Sequence, residues 1–216
     1  IYGIKRVIVS TYQAVSGAGK SSMDELLNQT KKFFTKKKIK SKNFTKQIAF
    51  NVIPHIDKFV TDGYTNEEMK MELETKKILD QKVSVSATCV RVPVLNSHSE
   101  SVNIEFKKKY NLKKIRKILN NTKGCRVLDS RKNGGYVTPV EANGKFQTFI
   151  SRIRKDRTKK NAVNLWIVSE SSADLCIFTC RDAVVRNIWS FSCGVISVSC
   201  DGTLVGSKAD ARKCRP

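Results

Sequence analysis

Hydrophobic and polar positions alternate along the chain in a way that predicts a mixture of strands and helices. The short apolar run at 4–10 (IKRVIVS) reads as a buried strand. Ser16-Gly17-Ala18-Gly19 follows as a turn, and a helix is expected over about 21–34, with Met23, Leu26, Leu27 and Phe34 along one side. The lysine run at 36–46 reads as a loop, and the apolar stretch 49–59 is interrupted by Pro54. A second helix is expected over 66–79. Thr65 can cap it, Glu68 stands where a capping box needs a carboxylate, and the early glutamates favour the positive end of the helix dipole. Residues 83–94 alternate like a strand, and 101–106 form another. A basic helix over 112–119 is ended by Asn120-Asn121 and Gly124. Further strands are expected near 126–128, 146–154 and 163–168. Without regular strand–helix–strand alternation, the class is α+β rather than doubly wound.

Composition changes after Val168. Lysine nearly disappears, serine, cysteine and valine dominate, and five of the 7 cysteines (Cys176, Cys180, Cys193, Cys200, Cys214) lie in this stretch. The expected organisation is a domain over 1–168 and a divergent Ser/Cys-rich tail over 169–216, the latter not a native continuation of the former. Cys176 and Cys180 lack paired zinc spacing and have no nearby histidine, so no metal site is expected. A disulfide framework fits poorly with the lysine-rich body. No stretch approaches the roughly 20 apolar residues of a membrane helix. The first residues form neither a secretory signal nor a start at Met, so the chain reads as a protein joined midway, cytoplasmic by default.

The net charge of +22 brings in a second class of function. Lysine runs at 31–42 and 107–117 could form a phosphate-binding stripe, which makes a nucleic-acid-binding module the alternative reading. Base readout favours Arg, Asn and Gln in a defined motif, and none is visible, so this reading ranks behind the one below. Residues 14–21 (AVSGAGKS) nearly match a P-loop, but Ala14 stands where that motif has glycine, and a glycine turn opening a helix explains the segment as well.

A series of segments in one order decides between these readings: 10–19 (STYQAVSGAG), 48–57 (IAFNVIPHID), 67–71 (EEMKM), 74–78 (ETKKI), 85–94 (VSATCVRVPV), 98–102 (HSESV), 152–156 (RIRKD) and 164–166 (NLW). This series resembles the aspartate-semialdehyde dehydrogenases over about residues 3–168. The resemblance implies a mixed β-sheet with helices on one face, of the type found in the C-terminal domain of glyceraldehyde-3-phosphate dehydrogenase. It also implies a homodimer and NADP as cofactor. The reaction implied is the reductive dephosphorylation of L-4-aspartyl phosphate to L-aspartate 4-semialdehyde and phosphate, on the route to lysine, threonine and methionine.

The same resemblance assigns roles to residues. Arg91 would hold the substrate α-carboxylate through its planar fork, Glu67 the α-ammonium and Lys70 the phosphoryl group. His98 would move a proton at the reacting oxygen, because an imidazole titrates near neutrality. Gln13 would orient the acyl carbon, and Ser16, Gly17 and Asn164 would lie by the nicotinamide. The family's nucleophilic cysteine sits in an Asn-Cys motif upstream of the 10–19 signature, as does its dinucleotide-binding turn. The chain therefore reads as a fragment, expected to be inactive alone, with an inactive dimerising remnant as a further alternative. Cys89 matches a non-catalytic family position.

Overall fold

The computed structural model describes residues 2–170, together with Ser197–Val198 and Leu204–Val205, which pair as a two-stranded ribbon. The remainder of the expected tail lies outside the described residues. Six strands form one mixed sheet: β1 (Ile4–Gln13), β2 (Ser84–Arg91), β3 (His98–Phe106), β4 (Cys125–Val127), β5 (Thr148–Lys155) and β6 (Ala162–Ser169). Their spatial order is β2-β1-β3-β6-β5-β4. The two outer pairs, β1 with β2 and β4 with β5, are parallel, and the three inner pairs are antiparallel. The α+β class is borne out.

Alternation along the strands decides which face is buried. Val7, Ile104 and Val163 stand side by side across β1, β3 and β6, as do Val9, Val102 and Leu165. Helices α2 (Asn66–Ile78) and α3 (Leu112–Asn120) cover this face, inserting Met71 from α2 and Ile115 and Leu119 from α3. Fully burying one such side chain contributes about 1.5–3 kcal/mol. The opposite face carries Ile8, Ser10 and Tyr12 of β1 opposite Asn103, Ser101 and Ser99 of β3. Tyr12 meets Trp166 of β6, ring centroids 5.5 Å apart. Among the described residues, the β5 side of this face is covered by a smaller cluster of Val137, Ala142, Phe149 and Val168 that includes the one-turn helix α4 (Pro139–Ala142).

Helix α2 begins as expected. The Thr65 amide donates to Glu68 Oε2 at 2.9 Å, and the Glu68 amide donates to Thr65 Oγ1. The other oxygen of Glu68 accepts from the amide of Cys89 at 3.0 Å, so the capping carboxylate also ties α2 to β2. Helix α1 (Lys20–Phe34) departs from the expected apolar side. Leu26 is buried and Met23 packs beside it, but Leu27 and Phe34 are 53% and 72% exposed. What α1 buries besides Leu26 is polar. Gln29 Oε1 accepts from the amides of Ile48 and Ala49, and Glu25 accepts from those of Lys42 and Asn43. These bonds satisfy the backbone of a loop that forms no ladder of its own. The 49–59 stretch contributes two isolated bridges: Ile53 to Arg91, which anchors it to the end of β2, and Phe59 to Thr65, at the start of α2.

Candidate active site

Four strand ends meet at one end of the sheet. The parallel register puts Gln13, last in β1, beside Arg91, last in β2. β3 runs antiparallel to β1, so its first residue, His98, starts at this same end, and His98 pairs with Ser169 at the close of β6. The chain leaving β1 is held over the cluster by backbone bonds from Val15 N to Val94 O and from Ser16 N to Leu95 O.

Ala14, fully buried, holds two site side chains with its two backbone groups. Its N–H donates to His98 Nδ1 at 2.9 Å, and its carbonyl accepts from Arg91 Nη1 at 2.7 Å. An Nδ1 that accepts a hydrogen bond carries no proton, so the neutral imidazole has its proton on Nε2. Burial pulls the His98 pKa down from 6.5 to about 4, and Arg91 pushes in the same direction against Glu170 and a backbone bond at Ser97. His98 is therefore neutral at pH 7 and presents an Nε2–H donor. Burial also lowers the Arg91 pKa, opposed by Glu67 and Cys89, yet a guanidinium stays charged throughout the physiological range.

Glu67 comes from the first turn of α2. Its Oε1 accepts from Gln13 Nε2 at 3.2 Å, and its Oε2 lies 3.9 Å from Lys70 Nζ, one helical turn on. Gln13 is buried, whereas Lys70 keeps its side chain more than half exposed. Gly17 closes the cluster from the short turn Val15–Ala18. A Cβ at Gly17 would meet His98 Nε2 at 3.1 Å and Arg91 Nη1 at 3.4 Å. Its φ is not in the left-handed region, so glycine is needed here for space. Gly17→Val is expected to cost about 1–3 kcal/mol of stability and to weaken ligands of this site by about tenfold or more, because the buried His98 ring must move. Thermal melts and ligand titration on the same samples check this.

The structure thus brings together Gln13, Glu67, Lys70, Arg91, His98 and Gly17, with Ser16 in the same turn. It does not bring Asn164 to them. Asn164 stands mid-strand in β6, its Oδ1 accepting from Asn103 Nδ2 at 2.8 Å, opposite Asn103 rather than His98. Two contributors escaped the sequence reading. One is the Ala14 peptide, whose role is backbone-borne. The other is Glu170, just past β6, whose Oε2 accepts from the amide of Gly144 at 2.6 Å and from Ser97 Oγ at 3.4 Å. A carboxylate following the NLW segment was its one visible signal.

In the near P-loop the amides of Val15, Ser16 and Gly19 are spent on carbonyls of the chain itself, of Val94, Leu95 and Ser16 in turn. Cys89 is buried, and burial pushes its pKa up to about 12 despite a hydrogen bond with Thr11. It is expected to resist alkylation by iodoacetamide at pH 8 in the folded chain and to react once the chain is unfolded, as peptide mass mapping can show. Among the described residues no group of three or more His, Cys, Asp or Glu could hold a metal ion, and no helix is long and apolar enough to cross a membrane.

The family described as "Semialdehyde dehydrogenase, dimerisation domain" matches residues 1–171. An aspartate-semialdehyde dehydrogenase of Aquifex aeolicus is 48% identical over 171 residues, covering 78% of this chain and 50% of the relative. One from Rickettsia bellii is 48% identical over 168 residues, with the same shares. The chain spans about half the length of the curated relatives it matches. Among solved structures, aspartate semialdehyde dehydrogenase II of Vibrio cholerae, complexed with ASA, superposes with a TM-score of 0.77 at 38% identity, covering 86% of this chain and 56% of that one.

Proposed function

We propose that this chain, which belongs to the semialdehyde dehydrogenase dimerisation-domain family, is the substrate-binding and proton-donating part of an aspartate-semialdehyde dehydrogenase. On this reading it serves the NADP-dependent conversion of L-4-aspartyl phosphate to L-aspartate 4-semialdehyde and phosphate, in the cytoplasm, on the route to lysine, threonine and methionine. The observation that carries the reading is the Ala14 peptide gripping Arg91 and His98 at once. It sets a fixed cation and a fixed neutral proton donor side by side, with the Glu67 carboxylate within one hydrogen bond of Gln13.

Each group has a task matched to its chemistry. Arg91 spends one guanidinium nitrogen on Ala14 and has others for the α-carboxylate. Glu67 takes the α-ammonium. Lys70, exposed and held loosely by Glu67, takes the phosphoryl group as a point charge. Gln13, pinned by Glu67, orients the acyl carbon. His98 Nε2–H faces the carbonyl oxygen as negative charge develops there, and a donor already in place needs no reorganisation at that moment. The nucleophilic thiol has to come from outside the described residues: Cys89 is held protonated and Cys125 lies on the edge strand β4.

The residues present fit one end of the cofactor. The bare backbone at Gly17 leaves room against His98 Nε2 that any side chain would fill, and Ser16 and Gly17 would border the nicotinamide there. NADPH, when bound, supplies the hydride that reduces the acyl group. Asn164 is not carried into this assignment. A second copy would cover the open face of the sheet, where Ile8, Tyr12 and Trp166 stand.

The test is specificity for the amino group. NMR titration of the chain with L-aspartate semialdehyde and with succinate semialdehyde, which lacks the ammonium, should show shifts at Glu67, Arg91 and His98. The amino ligand should bind about tenfold more tightly. Equal binding of both, or shifts elsewhere, would sink the proposal.

A further inference from the structure

The other end of the sheet carries a feature that the enzymatic reading does not use. Strand β4 is only three residues long and leaves its partner β5 at Ile150. Beyond that point β5 bulges: its register against β6 shifts between Ser151 and Arg154, and Arg152 is held at φ +55°. Asp129 fixes the bulge by accepting from the amides of Arg152 and Ile153. The loop past β4, the start of α3 and the end of β5 thereby enclose a concavity of about 590 Å³. That lies within the roughly 300–1,000 Å³ of small-molecule sites.

Its lining carries six cations, Arg116, Arg131, Arg152, Arg154, Lys155 and Arg157, against one carboxylate, Asp129. That carboxylate is already committed to Arg116 and to the two amides. Arg116 also donates to the Ile153 carbonyl, and Arg154 donates to the Arg152 carbonyl, so two of the guanidinium groups are held in place by backbone. Arg131, Arg152, Lys155 and Arg157 form no ion pair among the described residues. The adjoining Asp156 carboxylate does not serve them. It accepts from Thr158 and Asn103, which hold its pKa down at about 2.

We propose that this concavity binds a compact polyphosphate, as an inorganic chain or as the phosphate tail of a nucleotide. Guanidinium forks match phosphoryl oxygens in pairs, and several around one cavity match several linked phosphoryl groups. The charge that crowds these cations together in the free chain is neutralised when such an anion enters. The lining includes no aromatic side chain on which a base could stack, which sets this site apart from a surface for single-stranded nucleic acid. It is also separate from the candidate active site. Lys155 pairs with Val163, while His98 pairs with Ser169 six residues further along β6, roughly 20 Å away at about 3.3 Å per residue.

Isothermal titration of the 216-residue chain with inorganic tripolyphosphate tests the proposal. Saturable one-to-one binding is expected. It should weaken about tenfold or more in the double variant Arg131→Ala/Arg157→Ala and stay unchanged in Lys70→Ala. It should also weaken steeply between about 50 and about 200 mM salt. Both substituted arginines are exposed, so the double variant should keep the melting temperature of the parent chain; if it does not, Lys155→Gln provides the same comparison. Absence of saturable binding at millimolar tripolyphosphate would overturn the proposal, as would a loss in Lys70→Ala with none in the cavity variants. A single-stranded RNA that displaces tripolyphosphate at equal phosphate concentration would overturn it in favour of a nucleic-acid interface along the basic surface.

Discussion

Arg91→Ala is expected to weaken binding of L-aspartate semialdehyde by a factor on the order of 100 to 1,000, the largest effect of any single substitution at the site. Removing one partner of a buried, hydrogen-bonded charge pair costs about 2–5 kcal/mol, and each ~1.4 kcal/mol is tenfold in affinity. Three losses combine at this position. The ligand carboxylate loses its fork, the carbonyl of fully buried Ala14 loses its donor, and Glu67 loses the cation that faces it. Arg91→Lys separates these losses. An ammonium can reach a carbonyl or a carboxylate as a point charge but cannot present a planar pair of donors, so this variant should regain stability more than affinity. Urea denaturation and NMR titration on the same samples make the distinction. A binding constant for Arg91→Ala within twofold of the parent chain would remove Arg91 from the site. The substitution should also raise the His98 pKa, because Arg91 is one of the two influences holding it down.

The elements and half of the site were legible because both obey short-range rules. The cap at Thr65 and Glu68 is written in two residues, and the alternation of β1 shows in seven. Strand β3 was harder. Its first residues, His98, Ser99 and Glu100, are polar yet buried, so periodicity alone starts the strand at Ser101, three residues late. Helix α1 misled for the complementary reason. It faces a loop whose unpaired amides need acceptors, so Glu25 and Gln29 point inward and the two phenylalanines near its end remain outside. Side-chain pairing across the loop, invisible to a hydrophobicity pattern, decided that orientation.

At the site the same division holds. Arg91, His98, Gln13 and Glu67 carry their chemistry in their side chains and could be named from the sequence. The Ala14 peptide could not be, because any residue supplies an N–H and a carbonyl. The feature that spoiled a P-loop match, alanine in place of glycine, sits at the residue whose backbone organises the proton donor and the cation. Asn164 illustrates the opposite error. Its motif fixes it to β6, but its position in the strand puts it against Asn103 rather than at the end where the site forms. Glu170 was legible only as an acid beside a segment boundary, since the bond that gives it a place comes from Gly144, far away in sequence.

His98 should stay neutral down to about pH 4, and the stability of the chain should record this. The folded pKa, about 4, lies below the ordinary 6.5, so between these values the unfolded chain binds the proton that the folded chain refuses. Stability therefore falls as pH drops from 6.5 toward 4 and is unaffected by this group above 6.5. A difference of that size corresponds to roughly 3 kcal/mol at about 1.36 kcal/mol per unit. In His98→Gln, which keeps a polar group but cannot titrate, the melting temperature should fall less over this window than in the parent chain. Glu170→Gln should push the His98 pKa lower still, because Glu170 is one of the influences that raise it. Ring ¹⁵N shifts read both the pKa and the tautomer. The Ala14 N–H requires the proton on Nε2, facing Gly17, at every pH at which the ring is neutral. A ring that titrates near 6.5, or that carries its proton on Nδ1, would make His98 an ordinary base instead of a fixed donor, and the proposed stabilisation of the carbonyl oxygen would fail with it.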